Sequence, residues 1–117
     1  MNTLRDEIYK NAVEKGWWDE ERSFGDVISL CHSELSEALE EYRNGNVGIY
    51  YKAPDGSTSD VQEGEHQKPE GIPIEFADVI IRILDYCGHR GINIDEAIRI
   101  KNEFNKTRPY RHGGKRM

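Results

Sequence analysis

Two short acidic motifs, Glu34-Leu35-Ser36-Glu37 and Glu75-Phe76-Ala77-Asp78, hold the residues of this chain best spaced for chemistry. Each is an acidic pair at i, i+3, and residues three apart on a helix share one face, with Cβ atoms about 5–6 Å apart. Two such helices packed side by side would gather Glu34, Glu37, Glu75 and Asp78 into one pocket. Four clustered anions repel one another unless something positive sits among them. The natural occupant of an all-oxygen site is a hard divalent cation, Mg²⁺ or Mn²⁺. The competing account of any single Glu-x-x-Glu is a solvated helix face, and three features weigh against it here. The acids adjoin apolar stripes and do not lie opposite them. Neither helix supplies Lys at i+4, so only Asp78 has an internal candidate partner, Arg82. The two motifs also match in spacing. A di-iron centre would need Glu-x-x-His on two helices; Glu37 and Asp78 stand where those histidines would be, which leaves a pure oxygen donor set.

A second line is cationic. Lys101 and Asn105 are i, i+4, and Arg108 follows about one turn later. Such a stripe suits phosphate oxygens beyond the reach of the metal; a basic helix C-terminus is the ordinary alternative. Trp17-Trp18 and Tyr50-Tyr51 are aromatic doublets in expected loops, able either to stack a nucleobase or to anchor a core or interface. The four histidines show no ligand spacing. Gly113-Gly114-Lys115 lacks the upstream glycine and the Ser/Thr of a phosphate-binding loop.

Four helical segments must position these groups. The first runs over about 3–15, with Thr3 as N-cap, a Leu4/Ile8/Ala12 stripe, and Gly16 as its stop. The second covers 23–43; Ile28, Cys31, Leu35, Ala38 and Tyr42 form a core stripe with Glu34, Glu37 and Glu41 beside it. The third covers 74–89 with Pro73 at its start and Gly88 and Gly91 as terminators. Its apolar face is Ala77, Ile80, Ile81, Leu84 and Cys87. The fourth covers 95–106, capped by Asn93 or Asp95. No strand-period alternation of any length appears, so the expected fold is all-α: a helical bundle of about four helices. Between helices two and three, residues 44–71 hold five glycines and two prolines and read as a long loop insertion, the kind that is a functional lid or a disordered segment. Residues 48–51 are its one candidate extended piece.

Size and charge bound the rest. At 117 residues the chain is expected to be one domain, 1–117, with a modest core. A net charge of −6 argues against a nucleic-acid footprint over the whole surface. The charge is uneven: residues 108–117 carry Arg108, Arg111, Lys115 and Arg116 and no acid. Cys31 and Cys87 fall among apolar helical residues and read as small buried hydrophobes of a reducing compartment. No signal segment or membrane-length apolar run is present, so a cytoplasmic protein without a membrane partner is expected. Val27 and Leu30, and Val79 and Ile83, widen the apolar faces of helices two and three beyond what four short helices cover, and predict a homo-oligomer.

Glu34-x-x-Glu37, Glu75-x-x-Asp78 and Lys101-x-x-x-Asn105-x-x-Arg108 together resemble the MazG-like all-α nucleoside triphosphate pyrophosphohydrolases, over about residues 17–112. One departure is the 37 residues between Glu37 and Glu75, longer than the compact form of that family. The resemblance implies Mg²⁺ dependence, a homodimer or homotetramer, and cleavage of an NTP or dNTP to the monophosphate and pyrophosphate. Metal would be held by Glu34, Glu37, Glu75 and Asp78. One carboxylate, with Glu37 the candidate, would accept the proton of the attacking water. Lys101, Asn105 and Arg108 would contact phosphates, and Trp17 and Trp18 a base. A phosphodiesterase or nuclease using the same metal is an enzymatic rival. The non-enzymatic alternative is a helical oligomer that binds nucleic acid or a protein through its basic tail.

Overall fold

A computed structural model describes residues 1–64 and 66–110; Arg111, His112, Gly113, Gly114, Lys115 and Arg116 of the basic tail lie outside the described residues. Four helices dominate: α1 (Asn2–Glu14), α2 (Phe24–Arg43), α3 (Ile72–Arg90) and α4 (Ile94–Lys106). The α2 boundary is written in its capping box. The Ser23 side chain accepts from the Asp26 backbone N–H at 3.0 Å, and Asp26 accepts from the Ser23 N–H. Asn93 caps α4 by accepting from the Glu96 N–H at 3.1 Å. Thr3 lies inside α1 and does not cap it; Met1 holds that place.

α3 is the central helix, packed against both α1 and α2. Gly88 does not terminate it. It lies inside α3 at the α1 contact, where a Cβ would run into the Cβ of Tyr9. The helix closes three residues later, on Gly91 in a left-handed C-cap. Arg5 of α1 reaches past this end and donates to the Ile92 carbonyl at 2.7 Å.

The insertion differs from the expected loop. It folds as a small antiparallel sheet in the order β2-β1-β3, formed by β1 (Tyr50–Lys52), β2 (Thr58–Ser59) and β3 (Lys68–Glu70). Pro54-Asp55-Gly56-Ser57 makes the β1–β2 turn, with the Asp55 carboxylate accepting from the Ser57 N–H and hydroxyl. Pro69 is tolerated because β3 is an edge strand. Strands this short give no alternation long enough to read, which is why composition alone suggested a loop.

The sheet is fastened to the bundle where the insertion rejoins it. The Ile72 N–H donates to the Asn46 carbonyl at 3.3 Å. Gly71 sits at φ 110°, and a Cβ there would collide with the Gly48 carbonyl oxygen. The glycine thus allows two backbones to touch four residues before Glu75.

The buried apolar core is thin: Val27, Cys31, Ala38, Leu84 and Cys87. Of the stripe expected on α2, Cys31 and Ala38 are buried, whereas Ile28, Leu35 and Tyr42 are exposed in the single chain. On α3, Leu84 and Cys87 are buried while Ile80 and Ile81 are exposed. Periodicity identified the apolar faces, but one chain lacks the helices to cover them. α4 is the extreme case. From Asp95 to Lys106 every residue is exposed, and the hydrogen bonds tying α4 to the bundle cluster at its start, around Asn2. The radius of gyration, 17.6 Å, exceeds the roughly 13–14 Å of a compact chain of this length.

Gly71→Ala should cost about 1–3 kcal/mol of stability, since this backbone region admits almost only glycine and the added methyl meets a backbone oxygen. Chemical denaturation followed by circular dichroism checks this. A midpoint equal to wild type would mean that the seam between sheet and bundle is not close-packed.

Candidate metal centre

α2 and α3 pack with their acidic motifs facing each other. One carboxylate oxygen from each of Glu34, Glu37 and Glu75 lies within 4.8 Å of the others. Asp78 stands outside that tight set but lines the same cavity, of about 380 Å³, with Glu34, Glu37 and Glu75. Burial is graded across the site. Glu75 is 5% exposed, Glu34 is half-buried, and Glu37 is exposed at the mouth.

The electrostatics follow from that gradient. The Glu75 carboxyl is pushed up to about 8, first by burial and then by the adjoining Glu37 and Glu34 carboxylates. Asp78 is raised by burial and by Glu34, with Arg82 pulling the other way. Glu75 Oε2 is buried and has no hydrogen-bond partner among the described residues. A buried oxygen with no donor is costly unless a proton or a cation reaches it.

A hard divalent ion fits this donor set. Metal–oxygen bonds of about 2.1 Å place ligand oxygens roughly 3–4 Å apart, so three oxygens already within 4.8 Å need only a small closure. Glu34, Glu37 and Glu75 would hold such an ion, with Asp78 beside them.

Arg82 does not pair with Asp78 along its own helix. Its guanidinium crosses to α2 and donates from Nε and Nη2 to Glu34 Oε1 at 3.3 and 3.2 Å. The same guanidinium lies 5.0 Å from the Trp17 ring centroid, and Arg22 covers that ring at 3.6 Å. Trp17 thus helps hold the arginine that orients Glu34. Trp18 stacks on His89 at 3.8 Å and 5°, and its indole N–H donates to the buried Asp85 carboxylate at 2.9 Å. Both tryptophans are engaged by side chains of the protein itself.

Lys101 and Asn105 share a shallow concavity on α4 with Ala97, Ile98 and Asn102. None of these residues borders the carboxylate cavity. Lys101 and Arg108 instead flank the Phe104 ring, at 5.0 and 5.7 Å. Within one chain, the cationic line and the acidic quartet are therefore not brought together.

The cavity has walls that the motifs did not announce. Glu40, Glu41, Lys68, Pro69 and Glu70 complete its lining. Glu41 is four residues after Glu37, so helical spacing was sufficient to find it. Its Oε1 accepts from the Tyr50 hydroxyl at 3.1 Å, and its Oε2 is buried without a partner. Tyr50 is itself pushed up to about 12 by burial and by that carboxylate. Lys68 and Glu70 carried no sequence signal, because only the folding of the sheet brings them to α2.

No protein-family model, curated protein or solved structure matches the chain. No helix among the described residues is long and apolar enough to cross a membrane.

Without metal, folded Glu75 keeps its proton to about pH 8, whereas its ordinary value is 4.5. The folded state binds more protons across that window. Its stability should be full below about pH 4.5 and fall as pH rises towards 8. Melting of the metal-free protein at pH 5 and 8 tests the sign. Millimolar Mg²⁺ or Mn²⁺ should raise the melting temperature, more so at pH 8 than at pH 5, because the ligands must be deprotonated. Asp78→Asn and Glu37→Gln should each shrink that rise; an equal rise in both variants would place the metal elsewhere.

Proposed function

We propose that this chain is a divalent-metal-dependent nucleoside triphosphate pyrophosphohydrolase, cutting an NTP or dNTP to the monophosphate and pyrophosphate. The observation that carries the reading is the Glu34/Glu37/Glu75 oxygen cluster, with the buried, unpartnered Glu75 Oε2 at its base. Such a cluster suits Mg²⁺ better than any softer ion. The MazG-like resemblance rests on these residues together with Asp78 and the Lys101, Asn105 and Arg108 line, and adds the reaction class. In that role the protein would act in the cytoplasm, on the nucleotide pool.

When bound, Mg²⁺ supplies charge neutralisation for the triphosphate and a more acidic water. The chain's residues divide the remaining work. Glu75 and Glu34 are the deeper ligands, the latter oriented by Arg82. Glu37, exposed at the mouth, has the solvent access required of a general base. It takes the proton of a water whose oxygen bonds to the α-phosphorus. The bond from that phosphorus to the bridging oxygen breaks, and pyrophosphate leaves with the electron pair.

Assembly is part of the reading. Leu35, Leu39, Ile80 and Ile83 on α2 and α3, and Ile98, Ile100 and Phe104 on α4, are all more than 40% exposed in the single chain. A second copy covering them would give a homodimer or homotetramer. It would also provide the route by which Lys101, Asn105 and Arg108 approach a carboxylate site.

Purified protein with Mg²⁺ and a panel of NTPs and dNTPs should release pyrophosphate and no orthophosphate. Glu37→Gln should slow it by about 10²–10⁴-fold. Orthophosphate release, cleavage of a nucleic-acid chain, or no turnover of any nucleotide would overturn the assignment, the last in favour of a binding module acting through the basic tail.

Light scattering should give at least twice the chain mass. A strictly monomeric mass at working concentration would remove the assembly proposal and leave the carboxylate site standing.

A further inference from the structure

The carboxylate cavity needs a cationic wall if it is to take a polyphosphate, and among the described residues one that lines it supplies positive charge. Of the described residues lining the cavity, seven are acids and the only cation is Lys68. Arg82 is turned away into its contacts with Glu34 and Trp17. Lys68 stands on β3, in the insertion, and ion-pairs with Glu70 at 3.5 Å.

Strand register adds an independent observation. Tyr50 pairs with Glu70, and Lys52 with Lys68. Side chains directly opposite one another share a face, and so do residues two apart on a strand. One face of the sheet therefore presents Tyr50, Lys52, Lys68 and Glu70. It is the face turned to α2, because Tyr50 donates to Glu41 and Glu70 is 17% exposed. Like charges directly opposite are locally unfavourable in a sheet. Lys52 and Lys68 nevertheless sit in that relation; Lys68 lines the acidic cavity and remains 78% exposed, and Lys52 stands across the strand pair from it. A lysine on the cavity lining, with a second on the same face of the sheet, concentrates positive charge at the edge of the carboxylate site, which suits an anion.

We propose that Lys68, with Lys52 across the strand pair, is the phosphate-binding element of this site, and that the insertion serves as the wall that recognises the phosphate chain of the substrate. The assignment rests on the metal-site reading above. It differs from that reading in placing the cis phosphate contact on the sheet and not on α4. The fastening of the sheet gives it precision. Tyr50–Glu41 on one side and the Gly71–Gly48 approach on the other fix β1 and β3 relative to the two helices that supply the acids. Lysine is a flexible point charge, suited to a phosphate chain whose geometry changes as a bond breaks.

The test is calorimetric binding of inorganic pyrophosphate in saturating Mg²⁺, beside Mg²⁺ alone, for wild type, Lys68→Ala, Lys52→Ala and the distant Lys10→Ala. The pyrophosphate Kd should rise about tenfold in Lys68→Ala, the size of one charge-assisted contact, and less in Lys52→Ala. Mg²⁺ affinity alone should hold or improve in both, since a nearby positive charge has gone. Lys10→Ala should match wild type throughout. Wild-type pyrophosphate binding that Lys68→Ala leaves within twofold would overturn this proposal while the metal-site reading survives. Equal loss of Mg²⁺ and pyrophosphate binding in Lys68→Ala would make the lysine a structural prop and also overturn it. Wild type that binds neither Mg²⁺ nor pyrophosphate would bring down both.

Discussion

Repulsion among carboxylates that the helix packing forces together is the constraint on which the rest of the structure depends. Two carboxylates about 4 Å apart repel by about 4 kcal/mol at an effective dielectric of 20, less where one faces water as Glu37 does. The chain relieves this in three visible ways. Arg82 neutralises Glu34 from the opposite helix. Glu75 holds its proton to about pH 8. The Tyr50 hydroxyl satisfies one oxygen of Glu41. The second oxygens of Glu41 and Glu75 stay buried without partners among the described residues. Acids held this close, with two buried oxygens lacking donors among the described residues, are the observation on which the metal proposal rests.

The surroundings of Arg82 show how far that arrangement reaches. The guanidinium needs a rigid backing to hold Glu34, and Trp17 supplies it, flanked on its other contact by Arg22. Trp17 follows the end of α1, and α1 is locked to α3 where Gly88 admits Tyr9. The neighbouring Trp18 is fixed by His89 and Asp85, both on α3. The segment linking α1 to α2 therefore braces the acidic site. Its aromatic doublet, which in sequence fits base stacking equally well, is held by protein contacts on α3.

The insertion and α4 are opposite solutions to one shortage. A chain of this length with a thin core cannot cover every apolar and charged face of four helices. The insertion folds back, and its sheet closes one side of the cavity between α2 and α3. α4 does not fold back, and its apolar residues stand in solvent together with parts of α2 and α3. The acidic site is thus walled within one chain on the sheet side, while apolar residues of the helical faces beside it are exposed.

The four helices, their approximate limits and the acidic pairs were legible in the sequence, because helical periodicity and caps such as Ser23 and Asn93 are local signals. The chemical type of the donor set was legible for the same reason: i, i+3 spacing fixes a shared face whatever the rest of the chain does. Burial was not. Leu35 and Cys31 sit on one apolar stripe, and only the number of helices available to cover it separates an exposed leucine from a buried cysteine. The partner of Arg82 was not legible either, since a long side chain chooses between its own helix and the next by tertiary distance. Nor were the roles of Gly71, Gly88 and Lys68, because each depends on an approach between segments far apart in sequence. Sequence by itself determined which residues share a helix face; tertiary structure alone decided which faces meet, because contacts between elements depend on packing that no local spacing encodes.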